Sequence, residues 1–284
     1  PFVRGEASVL PGLHLAFSSN APIEVDRNPA KVDGFLALTG NAKGAAITSD
    51  LGGGFSLSLL TQRGAETNRL TLTDVERRAD AAQLNFARGK FALGATLGQV
   101  KEDGAALGLA WGDRFGPRAQ GRTHFGGLSA NYVMTPSLQA GLEIESGVTD
   151  MNGASWFAPT APIKSLGAAA ALRWNVRPAL LAELAPHTGG ALTLTVSQPL
   201  RVESGALNVI LPNSDEYGRM HLRFEPRQIS IVPTGREIET RLGYELWSAD
   251  QLSAQVDVNY TIDPGHDAEA PDEIGARVAV RKAF

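Results

Sequence analysis

Residues 237–262, EIETRLGYELWSADQLSAQVDVNYTI, alternate apolar and polar side chains almost without a break. Ile238, Thr240, Leu242, Tyr244 and Leu246 take one side, and Glu237, Glu239, Arg241, Gly243 and Glu245 take the other. Past Ser248-Ala249-Asp250 the pattern resumes: Leu252, Ala254, Val256, Val258, Tyr260 and Ile262 oppose Gln251, Ser253, Gln255, Asp257, Asn259 and Thr261. A period of two belongs to an extended strand, whose successive side chains leave by opposite faces. Two such runs about a tight turn form an antiparallel hairpin. A third run sets Ile274, Ala276, Val278 and Val280 against Gly275, Arg277 and Arg281.

The same pattern, weaker, recurs upstream. Leu138, Ala140, Leu142 and Ile144 oppose Gln139, Gly141, Glu143 and Glu145, and a Thr135-Pro136-Ser137 turn separates them from Leu128, Ala130, Tyr132 and Met134. Leu166, Ala168, Ala170, Leu172 and Trp174 lead to an Arg177-Pro178 turn and on to Leu180, Ala182 and Leu184. Phe91, Leu93, Ala95 and Leu97 make another face, and shorter strands are expected at 13–17, 35–39 and 55–59. Gly52-Gly53-Gly54 reads as a turn. Residues 74–82, DVERRADAA, have the composition of a short loop helix with Asp74 near its start. The expectation is one all-β domain over residues 1–284.

Alternation suits a soluble sandwich as well as a barrel, and three features favour an antiparallel transmembrane β-barrel of about 12 strands. The apolar faces run for five or six alternate positions, giving strands near the ~10 residues that cross a bilayer at a tilt, against a mean of about 5–6 in soluble sheets. The polar faces carry Glu237, Glu239, Arg241, Glu245, Asp257, Arg277 and Arg281, charges that a dry core would exclude and a wet lumen accepts. Connections alternate in length: the turn at 248–250 is tight, whereas residues 263–273, DPGHDAEAPDE, are long and acidic. Such a barrel is expected to contact outer-membrane lipid on its apolar faces and to be monomeric. Tyr132, Trp174, Tyr244, Trp247 and Tyr260 are candidates for an aromatic girdle.

Composition narrows the chemistry. The chain of 284 residues has a formal net charge of −4 and no cysteine. Disulfides, thiolate metal sites and cysteine nucleophiles are therefore excluded. No basic run invites nucleic acid. No stretch approaches the ~20 apolar residues of a membrane helix. The start, PFVRGE, lacks the pattern of a signal peptide, so the chain reads as a mature product or a fragment. His14, His124, His187, His221 and His266 show no ligand spacing, and neither a Gly-x-Ser-x-Gly elbow nor a phosphate loop is present. The acidic loop has no EF-hand spacing and reads as solvated. No cofactor, metal or catalytic set is expected.

Two resemblances add to this reading. The chain ends in Phe284, preceded by Val280, Val278 and Ala276 at alternate positions. This resembles the C-terminal signal by which outer-membrane barrels are recognised by the barrel assembly machinery, with Lys282 departing from the pattern. The segments SQPLRVESG (197–205), PTGREIE (233–239) and DPGH (263–266) with PDE (271–273) resemble the C-terminal β-domain of autotransporter-type subtilisin-like serine peptidases of alphaproteobacteria. The likeness is best over residues 190–284. It implies a non-catalytic translocator in the cell outer membrane of a Gram-negative bacterium, anchoring and helping to export a passenger polypeptide, with Pro1 a cut point. No Gly-Thr-Ser or His-Gly-Thr motif of such a peptidase occurs here, so peptidase chemistry would lie in the passenger. A soluble β-rich binding module, an outer-membrane pore and a hydrolase working beside the barrel remain as alternatives.

Overall fold

The computed structural model describes residues 3–19, 30, 34–40, 42–68, 73–110, 119–152, 157–176, 188–214, 222–248 and 252–282. The chain is all-β. Its strands are β1 (Val3–Leu10), β2 (Leu13–Ser19), β3 (Ala42–Gly52), β4 (Phe55–Asn68), β5 (Thr73–Arg88) and β6 (Phe91–Asp103). Then come the short β7 (Ala105–Ala106) and β8 (Leu109–Ala110), followed by β9 (Gln120–Thr135), β10 (Leu138–Asn152), β11 (Phe157–Pro159) and β12 (Ile163–Asn175). The chain continues through β13 (Thr188–Ser204), β14 (Ala206–Ser214), β15 (Leu222–Ser230), β16 (Ile238–Ser248), β17 (Leu252–Ile262) and β18 (Glu273–Lys282).

Thirteen of these form one antiparallel meander in the order β1-β2-β3-β4-β5-β6-β9-β10-β12-β13-β16-β17-β18, while β11, β14 and β15 make a separate small sheet. Each long strand pairs with the next long strand of the chain, with tight turns making most of the joins at one end of the meander. Gly52, Gly53 and Gly54 all have positive φ in the β3–β4 turn, and Pro136 and Ser137 turn β9 into β10. Most connections at the opposite end are longer: they include the small sheet, residues 104–119 and residues 263–272, although the join at 69–72 there is short and residues 176–187 make a long join at the short-turn end. Among the described residues no ladder joins β18 to β1. With thirteen strands in an antiparallel path, those two edges run in the same direction.

Two expectations fail. Residues 74–82 lie inside β5, laddered to β4 and β6 on either side. Val75, Arg77 and Ala79 are buried while Glu76 and Arg78 are exposed, a period of two that charges on both faces conceal in the sequence. Helix propensity of Ala, Glu and Arg is a weak preference, and two ladders override it. Phe35–Thr39 is a 3-10 turn between Gly34 and Gly40 and lies across the sheet instead of joining it. The Arg177-Pro178 turn, the strand at Leu180, Ala182 and Leu184, and Ala249 and Asp250 fall outside the described residues.

The two faces of the meander differ sharply. One is covered: Phe35 is fully buried against Ala79, Val100 and Phe125, and Ala30 against Ala169 and Ala171. The other is bare and apolar. Register aligns its side chains into rows that cross the sheet. Trp174, Leu192, Tyr244, Val256 and Val278 stand opposite one another in turn, as do Leu172, Leu194, Leu242, Val258 and Ala276. Leu15, Ile47, Leu59, Ala82 and Leu97 continue the belt on the N-terminal half.

Candidate functional site

The charges singled out in the sequence leave by the covered face, and the structure pairs most of them. Asp257, 6% exposed, stands opposite Arg277 and accepts from it at 3.0 Å, with Gln255 adding a third donor. Arg241 donates to Glu239 at 2.8 Å, two residues along the same face. Arg173 on β12 meets Glu245 on β16 at 3.5 Å, across the intervening β13. Side chains two strands apart meet where a face curves toward itself. Arg281 stands opposite Ser253 in the last ladder. Its side chain and Phe284 lie outside the described residues. Ala276, Val278 and Val280 lie on the bare face, the two valines 71% and 66% exposed.

A second buried charge cluster escapes the sequence reading. Arg77 and Glu102 are register partners on β5 and β6 and form an ion pair of 3.3 Å on the covered face. Arg77 also reaches Glu66 at 3.2 Å and the Gly108 carbonyl, and Glu102 accepts from the Gly108 N–H at 2.9 Å. Reading residues 74–82 as a helix hid this pair. An alternation count across both faces, at Val75, Arg77 and Ala79, would have found it.

The 3-10 turn is built into the covered face by specific partners. Glu145 on β10 accepts the Phe35 N–H at 3.0 Å, and Gln62 on β4 donates to the Leu36 carbonyl at 2.6 Å. The Phe35 ring stacks on Phe125 with centroids 5.1 Å apart. Gly147 beneath it must be glycine: a Cβ there would stand 2.4 Å from Cζ of Phe35. One turn is thereby tied to β4, β9 and β10 at once.

The segments 197–205, 233–239 and 263–273 singled out in the sequence converge in space. Arg201, buried on β13, donates to the carbonyls of Gly235 and Pro233 at 2.9 Å each and pairs with Glu203 at 2.9 Å. Arg236 pairs with the same Glu203 at 3.0 Å and donates to Gln198. Glu237 accepts from Gly265 N–H at 2.7 Å, and its own N–H donates to Nδ1 of His266 at 2.9 Å. Since a backbone N–H only donates, Nδ1 is the acceptor, and Nε2 carries the hydrogen that it gives to the Leu200 carbonyl at 3.2 Å. Gly235 packs flat on residues 263–268: a Cβ would lie 2.5 Å from the Ala268 nitrogen. Both ring nitrogens of His266 hold backbone, and Arg201 holds the carbonyls of Pro233 and Gly235, so the cluster works as a clasp between the end of β13, the segment leading into β16 and the β17–β18 loop.

Aromatic residues gather on the bare face toward the short-turn end. Phe55 packs on Phe86 at 4.7 Å and Phe91 on Tyr132 at 4.6 Å, each pair directly opposed in the ladder, and Trp174 is 52% exposed nearby. Tyr260 lies toward the other end, donating to Asp272. Trp247 instead shares the face of Glu245 and covers Gly189. His124 is exposed on the bare face and His14 contacts Ser8, while His187 and His221 lie outside the described residues. Among the described residues no three His, Asp or Glu side chains converge on a common point, and no helix is long and apolar enough to cross a membrane. No protein-family model matches the chain, and no curated protein is detectably similar to it.

Proposed function

We propose that the chain closes into an outer-membrane β-barrel that anchors, and helps to export, a passenger carried on the same polypeptide. The observation that carries this reading is the bare belt of register-aligned apolar side chains opposite a face of paired charges. Ile274, Val278 and Leu97 are 71–80% exposed, and Leu128 and Leu142 at least 60%. A surface of that extent is unfavourable in water, where monomers rarely expose apolar patches beyond a few hundred Å². In lipid it is the expected exterior. From Trp174 to Leu166 the belt runs for about 26 Å along β12 at ~3.3 Å per residue. A tilt of about 40° reduces that to ~20 Å, near the ~25 Å apolar band of outer-membrane barrels.

Lipid also demands closure, since no water is present to satisfy an open strand edge. Displacing β1 and pairing β18 with β2 gives twelve strands, an even number that restores an antiparallel seam. The turn over Phe35 then stands inside the barrel as a constriction, and the Arg201 clasp braces the loops at the long-connection end. The polar interior takes an extended passenger segment in transit, and catalysis is left to the passenger. The autotransporter assignment itself rests on the three converging segments and on the C-terminal alternation.

The first test is mobility in SDS with and without boiling, after extraction in detergent. A closed barrel resists SDS when unheated and shifts on boiling. A protein that stays in buffer without detergent and shows no shift is a soluble β-module. Deleting residues 190–284 then tests export: unchanged passenger secretion and membrane location would remove the translocator role.

A further inference from the structure

Beyond the belt, on the same bare face, the ladder sets five basic residues side by side. Lys43 on β3 is the register partner of Arg63 on β4, Arg63 of Arg78 on β5, Arg78 of Lys101 on β6, and Lys101 of Arg122 on β9. The row ends at Asp150 on β10. All five bases are exposed. Like charges directly opposed across strands are destabilising, and here four such contacts follow in succession. Among the described residues only Arg78 is in ion-pair contact, with Asp80 at 3.0 Å, and the same carboxylate also feels the charge of Lys101. Glu76, exposed, and Asp103, half-buried, occupy the next row outward on the same face.

Position explains what the row faces. Arg63 lies four residues after Leu59, Lys101 four after Leu97 and, on the oppositely directed β3, Lys43 four before Ile47, on alternate positions of one face. At ~3.3 Å per residue and a tilt of about 40°, the row stands ~10 Å beyond the last large apolar side chains, the depth of headgroups next to a hydrocarbon core. It also lies toward the long connections, the end that faces outward in bacterial barrels. Five positions about 4.8 Å apart span ~19 Å of circumference, room for more than one phosphate.

We infer that this row binds the phosphate groups of lipids in the outer leaflet, so that bound lipid screens a repulsion that the folded chain otherwise carries. The inference rests on the membrane reading above. A base near an anionic lipid surface changes binding by about fivefold, so removing four changes it by about a hundredfold or more.

The experiment compares the wild type with K43Q/R63Q/K101Q/R122Q, which keeps Arg78 and its partner Asp80. Both are inserted into phosphatidylcholine vesicles, alone or doped with a bisphosphorylated glycolipid or its dephosphorylated form. Flotation reports insertion. The temperature at which SDS resistance is lost, and the glycolipid retained through detergent washing, report binding. The expected result is a sign change: the variant is at least as heat-resistant as wild type in phosphatidylcholine, and less so with phosphorylated glycolipid, which it retains about a hundredfold less. Equal retention by both proteins overturns the phosphate site alone. A matching shift from inorganic phosphate in the bath assigns the row to a free anion and overturns the lipid. Failure of either protein to float with any vesicle overturns the membrane reading, and this proposal with it.

Discussion

Replacing Phe35 by Ala tests whether the 3-10 turn is docked as firmly as its contacts imply. The ring is fully buried among Ala79, Val100 and Phe125. Emptying such a site costs about 3–5 kcal/mol, and the stack on Phe125 is part of that sum. Two hydrogen bonds, from Phe35 N–H to Glu145 and from Gln62 to the Leu36 carbonyl, remain. Taking the low end, a local loss of ~3 kcal/mol raises the undocked fraction of the turn by about two orders of magnitude. The ladders of β4, β9 and β10 do not depend on the ring, so the sheet should survive. Hydrogen exchange at the Phe35 amide, now shielded by the Glu145 carboxylate, should quicken by about a hundredfold, with the SDS-resistant form intact. If the barrel reading holds, single-channel conductance in planar bilayers rises as well. Gly147→Ala is the companion change, since its Cβ would meet the ring at 2.4 Å and push it out without deleting it. Exchange at position 35 altered less than threefold in both variants, with the fold intact, would refute the reasoning.

Other outcomes follow from the same geometry. Arg201→Ala leaves the Gly235 and Pro233 carbonyls without their donors and should lower stability by about 3 kcal/mol, read as earlier loss of SDS resistance on heating; a change under ~1 kcal/mol would mean that the clasp bears no load. Arg277→Gln removes two of the three donors to the buried Asp257 carboxylate, but Arg277 is 62% exposed and water takes their place in part, so the loss should be about 1–2 kcal/mol, less than for Arg201→Ala, in the same assay. Because the chain has no cysteine, a cysteine at Leu15 on β2, or at its register partner Ala7 on β1, combined with single cysteines walked along β18 reports closure cleanly: a cross-link from β18 to position 15 supports the twelve-strand seam, and cross-links from β18 to position 7 alone oppose it.

How legible the fold was depended on where the charges sit. In β16, β17 and β18 one face is apolar apart from Thr240 and Lys282 and the remaining charges keep to the other, so a period of two is plain from residues alone. In β5 the charges Glu76, Arg78 and Asp80 lie on the bare face and Arg77 on the covered one, and the alternation vanishes from any hydrophobic count. The strand is still a strand because β4 and β6 flank it. FLALT at 35–39 shows the converse: its apolar content suits a strand, but Gly34 and Gly40 release it from the ladder, and Phe35 gains more by lying over Gly147 than it would on an edge. Local pattern reports burial, and burial here comes from two sources, the sheet and the turn laid across it.

The basic row was invisible for a related reason. Lys43, Arg63, Arg78, Lys101 and Arg122 are about twenty residues apart in sequence, with no run or spacing to connect them. The register of four successive ladders brings them into line. A net charge of −4 pointed away from any anion, yet a net charge averages over surfaces that never meet. The acidic loop at 263–273 and the basic row lie on opposite halves of the meander. The same register that stacks apolar residues into a belt stacks these bases above it, so a one-residue slip in any of the four ladders would send a base to the covered face and a polar residue into the belt. Belt and row are therefore one feature of the pairing. A membrane offers an apolar interior with phosphate at its surface, in the order in which the bare face presents them.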